Sequence, residues 1–191
     1  MKKLLLLSAF IGSAFFATAQ TTSPTSSASS STYRAFKVDI DLGYAIPSAS
    51  TGGGTKGGVT VTVEPHYRLS DALAVGFRFE GAGLGYKDNN ATTDKVHVSL
   101  LTSYAPTIEY YFMDGGFRPF GGAGAGIFSR QNVASANNNA TLVAAGSTFG
   151  FFPRVGFETG HFRMAAAYNI VGSNSSYLSF TVGAFFGGGK K

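Results

Sequence analysis

The chain has 191 residues and a formal net charge of +5, which falls to +3 without Lys2 and Lys3 at its start. Charged residues make up only 13% of it and form no basic cluster, so nucleic-acid binding has little support. Cysteine is absent, which removes disulfides, thiolate metal sites and a lipoprotein anchor, and 26 Gly with 18 Phe and 9 Tyr argue against a helical protein.

In chain order, "MKKLLLLSAFIGSAFFATAQ" has a basic start, an apolar run and an Ala17-Thr18-Ala19 ending. This is the layout of a secretory signal peptide over 1–19, and the apolar run is too short to span a bilayer as a helix. The stretch 20–33 is rich in Ser and Thr with almost nothing to bury, and reads as a disordered leader.

From residue 34 the hydropathy repeats every second residue, the period of a strand with two unlike faces. "FKVDIDLGYAI" (36–46) sets Phe36, Val38, Ile40, Leu42, Tyr44 and Ile46 against Lys37, Asp39 and Asp41. The same alternation predicts strands over 59–69, 73–81, 96–112, 117–128, 149–158, 162–170 and 178–186, so eight in all. Long polar connections are predicted at 47–57, 87–94, 130–141 and 172–176, and short ones at 70–71, 113–116 and 159–161. Alternating long and short connections between an even number of strands predict an all-β fold: an eight-stranded antiparallel up-and-down transmembrane β-barrel over 34–187, with a short tail at 188–191.

The charges decide which face is wet. Lys37, Arg68, Arg78, Arg118, Arg154 and Arg163 share the polar face with Asp39, Asp41, Glu64, Glu80, Glu109 and Glu158, six of each sign. A water-exposed face needs no such balance, whereas a closed interior needs a partner for every charge. Five of the six cations are Arg, whose planar fork suits buried carboxylates. These twelve residues are therefore the candidate lumen charge network, and the apolar face is the lipid face. Aromatic residues support this by flanking the strand ends. Tyr67, Tyr110, Phe112, Phe117, Phe157 and Phe162 stand by the short connections, and Tyr44, Tyr86, Phe128 and Tyr177 by the long ones, as two girdles.

The strand–turn "PHYRLSDALAVG" (65–76), the segment "FPRVGFETGHFRMAAAYNI" (152–170) and the closing "SFTVGAFFGGG" (179–189) resemble the eight-stranded outer-membrane β-barrel family, in the broad OmpA/OmpX-like sense. The resemblance covers about residues 34–187. It implies outer-membrane lipid and, during biogenesis, the barrel-assembly machinery as partners. It also implies short turns and both chain ends in the periplasm, with long loops outside the cell.

Chemistry is sparse. His97-Val98-Ser99 with Glu109 downstream resembles the His-x-Ser and Glu of a barrel lipid A deacylase, but on the lumen face, away from acyl chains. His66, His97 and His161 lack metal-ligand spacing, and "GGAGAG" (121–126) lacks the Lys-Ser/Thr of a phosphate loop, so neither a metal nor a cofactor is expected. Those glycines are read instead as room for large lumen side chains. The function expected is that of a monomeric, non-enzymatic barrel with a plugged lumen and an unknown extracellular partner at its loops. A lipid A-modifying enzyme and a narrow small-solute channel are the alternatives.

Overall fold

The computed structural model describes residues 32–48, 55–87, 96–136, 139–172 and 176–191. The expected signal peptide, most of the leader and the centres of the long connections lie outside these residues. Eight strands follow one another: β1 (Phe36–Pro47), β2 (Thr55–Arg68), β3 (Leu73–Lys87), β4 (Val96–Tyr111), β5 (Phe117–Ala136), β6 (Asn139–Thr159), β7 (Phe162–Asn169) and β8 (Tyr177–Gly187). Each pairs antiparallel with its neighbours in chain order, and β1 meets β8 from Lys37↔Gly187 to Pro47↔Tyr177, closing the barrel. The short turns and the described chain ends gather at one end, the long connections at the other.

The distribution of polarity is inverted relative to a water-soluble protein. Phe36 and Leu42 are 60% and 62% exposed, whereas Lys37 and Asp39 between them are fully buried. Val61, Phe77, Tyr104, Ile108, Val155 and Val182 continue the exposed apolar surface around the barrel. A continuous apolar exterior of this size is matched by hydrocarbon. The pairing register is correspondingly fixed, because a slip of one residue would carry the β1 charges into that exterior.

Two expectations are corrected. The polar stretch 130–141 is not a long connection: β5 continues to Ala136 and β6 begins at Asn139, joined by backbone pairs from Gln131↔Ala144 to Ala136↔Asn139. Beyond the bilayer a hairpin needs only its backbone ladder, so loss of alternation marks the end of the lipid face and not the end of the strand. The second correction concerns the girdle at the long-loop end. Tyr44 is exposed there, but Phe128 and Tyr177 point inward and are buried. At the short-turn end Tyr67, Tyr110, Phe112, Phe117 and Phe162 do face outward, with Phe157 half-buried among them.

Inward rings fill the space left by inward glycines on the next strand. Phe152 pairs with Gly124 and Phe120 with Gly156, and a Cβ added at either glycine would strike the partner ring, at 2.4 and 2.5 Å. The glycine-rich run of β5 thus seats large lumen side chains. At the short-turn end, Gly187 and Gly188 take positive φ (79° and 63°), a conformation costly for other residues, and turn the tail beneath the barrel. There Tyr33 and Lys190 form an antiparallel bridge, extended by Arg34 N–H to the Gly189 carbonyl (2.9 Å) and Lys191 N–H to the Thr32 carbonyl (2.9 Å). Thr32 and Tyr33, which composition places in the leader, pair here with the tail.

Candidate functional site

The inward positions of adjacent strands converge on the barrel axis, and an eight-stranded barrel leaves only enough width for side chains to meet there. All twelve residues singled out from the sequence are buried inside. Most of them form one connected set.

Its centre is Arg163 on β7. Its guanidinium reaches Asp39 (3.3 Å), Asp41 (4.0 Å), Glu158 (2.7 Å) and, most closely, Glu109. Arg154 on β6 holds both oxygens of Glu64, at 2.6 and 2.7 Å, and lies 3.0 Å from Glu109. Lys37 bridges Asp39 (3.2 Å) and Glu158, and donates to the Tyr111 hydroxyl (3.0 Å). Glu158 also accepts Arg68 at 3.3 Å. Towards the long-loop end Arg78 pairs with Glu80 (3.3 Å) and donates to Asn169 (2.8 Å) and Ser103 (3.2 Å), while the Tyr177 hydroxyl donates to Glu80. Arg118 stands apart at the short-turn end, stacked on Tyr33 and Tyr111 with ring centroids 4.0 and 4.2 Å away.

Several members went unrecognised in the sequence. His66 lies among three carboxylates, 2.9 Å from Asp39, 3.4 Å from Glu64 and 3.6 Å from Glu109. It shares strand parity with Glu64 and Arg68, so the alternation does locate it; counting only full charges passed it over. The Tyr111 hydroxyl lies 2.8 Å from Glu158 and 3.0 Å from Glu109, hidden in sequence between two outward aromatics. Tyr33, in a stretch without alternation, gave no signal.

The arrangement crosses the middle of the lumen. Above the charges, Leu84, Leu101, Phe128, Phe152, Val171 and Tyr177 pack into a buried apolar cluster. The void between the two polar layers, lined by Asp41, Glu64, Arg78, Glu80 and Arg154 among others, is about 20 Å³, room for about one water molecule. Unpaired, each of these charges would cost several kcal/mol.

Of the deacylase-like residues, Ser99 and Glu109 are not brought together. Ser99 and Glu109 sit on the same strand ten residues apart, which places them roughly 33 Å from each other along it. Glu109 is also committed to Arg154 and Arg163. The side chain of His97 lies outside the described residues.

A closed, wholly antiparallel eight-stranded barrel with an apolar exterior and ion pairs inside is the OmpA/OmpX-like outer-membrane barrel fold. Solved structures share it. Neisserial surface protein A (NspA) is similar at 19% identity with a TM-score of 0.57, over 80% of this chain and 96% of that one. The outer membrane protein OprG from Pseudomonas aeruginosa is similar at 13% identity with a TM-score of 0.55, over 82% of this chain and 98% of that one. No protein-family model matches the sequence, and no curated protein matches it.

Proposed function

We propose that the protein is an integral, monomeric component of a bacterial outer membrane, sealed to solutes, that serves a structural or surface-interaction role through its long-loop end. The observation that carries this is the middle of the lumen: crossed by ion pairs from opposite walls, it leaves a void of about 20 Å³ between the polar layers. A second feature supports an outward-facing role. The β5–β6 hairpin continues past its neighbours, since pairing with β4 ends at Ser99↔Asn132 and pairing with β7 at Arg154↔Ala167, save one bridge at Phe151↔Ile170. In this reading the short turns face the periplasm, membrane lipid surrounds the belt, and assembly machinery inserts the chain. No reaction is assigned: Ser99 and Glu109 stand ten residues apart on one strand, and Glu109 is committed to Arg154 and Arg163.

The direct test is recording from the purified protein in planar bilayers. The sealed reading expects no steady conductance. Porin-sized single-channel steps from the wild-type monomer would overturn it in favour of the channel. Pull-down with variants shortened at 130–146 would then ask whether the hairpin carries the outside contact.

A further inference from the structure

A cavity of about 320 Å³ lies at the long-loop end, beyond the polar layers. Leu101, Phe128 and Val171 are buried and give it an apolar base, while Gly146 and Thr148 are exposed at its opening. Arg130 lines it too and is half-buried. Its partner across the β4–β5 ladder is the inward Leu101, and residues paired in this way share a face, so Arg130 points into the barrel mouth. On its other side β6 carries a bulge, since Arg130 pairs with Gly146 but Gln131 with Ala144. Gly146 takes a φ of 121°, and a Cβ built there would meet nothing within 4 Å, so the space beside the arginine is open. Bulges re-aim side chains in this manner next to functional sites. The Arg130 Nε is enclosed without a partner; Nη1 and Nη2 are not enclosed, and the side chain makes no hydrogen bond or ion pair with any described residue. The arginines deeper in the lumen differ, each being committed to carboxylates or rings.

We infer that this mouth binds a small organic acid, its carboxylate on Arg130 and its apolar body against Leu101, Phe128 and Val171. The two Nη groups of one guanidinium match the two oxygens of one carboxylate. Among the described residues no carboxylate lines the cavity, so the ligand supplies the negative charge. The apolar base sets the rest of the ligand. A bare hydrated anion gains nothing there, whereas an apolar body leaves water for the barrel interior. The cavity is about twice the volume of roughly 150 Å³ that admits benzene, which suits two fused rings or an alkyl chain of similar bulk. A concave site of mainly apolar lining with a single placed charge, in the mouth of a barrel, is the usual form of a small-molecule pocket. The inference rests on the surface-interaction reading of the long-loop end and names the class of molecule met there.

The amide signals of Gly146, Thr148 and Val171 report on the mouth by NMR, with the full chain in maltoside micelles; those of Gly115 and Gly160, at the other end, report on general effects of the micelle. Titration with naphthoate should shift the first group saturably and leave the second in place. Naphthamide, of the same shape without the charge, should bind about tenfold more weakly or worse, and acetate, with the charge but no apolar body, should give no saturable shift. Arg130→Gln should lower the affinity for naphthoate by about tenfold and leave that for naphthamide as it was. A linear shift, equal binding of acid and amide, or wild-type affinity for naphthoate in Arg130→Gln would overturn the site. Should Arg130→Gln fail to fold, the comparison of acid with amide on the wild type decides alone. Binding is read on the purified protein separately from conductance, so loss of this site leaves the sealed barrel standing, and channel steps would leave the binding result standing.

Discussion

Arg154 and Glu64 face each other across the lumen from β6 and β2, joined by two parallel bonds of 2.6 and 2.7 Å. In a ring of eight strands these two are diametrically opposed, so the pair is a strut across the barrel. Thr107 donates to the same carboxylate, and His66 lies 3.4 Å from it.

Breaking that strut on one side should cost more than removing it. Arg154→Met leaves Glu64 buried beside fewer cations, and a loss of about 3–5 kcal/mol is expected. The double variant Arg154→Met with Glu64→Leu should cost less than the sum of the single changes by at least about 1 kcal/mol. Urea unfolding in lipid vesicles measures both. Strict additivity would show that the pair is not coupled.

Lipid contact should alternate along single strands. Cysteine-attached fluorophores at Val61, Val63, Phe77 and Val182, all exposed, should be quenched by brominated lipid. Those at Thr60 and Thr62, both buried, should not. Equal quenching at neighbouring positions would refute the register.

Glycines of the barrel wall should divide by what surrounds them. A Cβ at Gly126 would lie 2.0 Å from the Tyr104 carbonyl oxygen, and backbone of the adjacent strand cannot easily withdraw. Gly126→Ala should therefore destabilise by about 1–3 kcal/mol. At Gly81 nothing lies within 4 Å, and Gly81→Ala should be within about 0.5 kcal/mol of wild type. Heat-dependent gel mobility ranks the two, and similar midpoints would contradict the packing.

The bridge beneath the barrel should behave as a stopper. Tyr33 is buried, stacks on two guanidinium groups, and its hydroxyl accepts the Gly115 N–H at 3.1 Å. Tyr33→Ala should admit water to Arg68 and cost about 1–2 kcal/mol through the lost cation–π contacts. Hydrogen exchange of the Gly188 and Gly189 amides should accelerate with it. Unchanged exchange would mean that the tail holds without the ring.

The strand count, the up-and-down order and the sidedness of all twelve inward charges could be read from alternation, because lipid on one face and ions on the other enforce a period of two wherever the chain crosses the bilayer. Where that constraint lapses the reading lapsed too. In the upper halves of β5 and β6 the sequence loses its alternation although the backbone ladder continues to Ala136↔Asn139. Phe128, Phe152 and Tyr177 are large and apolar yet inward, because opposing glycines and a buried glutamate make room for them. Which charges pair could not be foreseen. Partners such as Lys37 and Glu158 are 121 residues apart, and tilt and stagger of the closed sheet choose them.

The ion pairs also make the two halves of the molecule unlike. Of the twelve inward charges, β1 to β4 contribute three cations and five carboxylates, while β5 to β8 contribute three cations and one carboxylate. Each half alone is therefore out of balance by two charges, in opposite senses, and Arg154, Arg163 and Glu158 reach across to supply what the first half lacks or to take what it offers. A barrel made from two copies of either half would enclose four uncompensated charges of one sign, each costing several kcal/mol. The chain is thus a pair of complements and not a repeat. At the β1–β8 seam the link comes from one strand further on: Arg163 on β7 reaches Asp39 and Asp41 on β1 past a β8 that carries no charge.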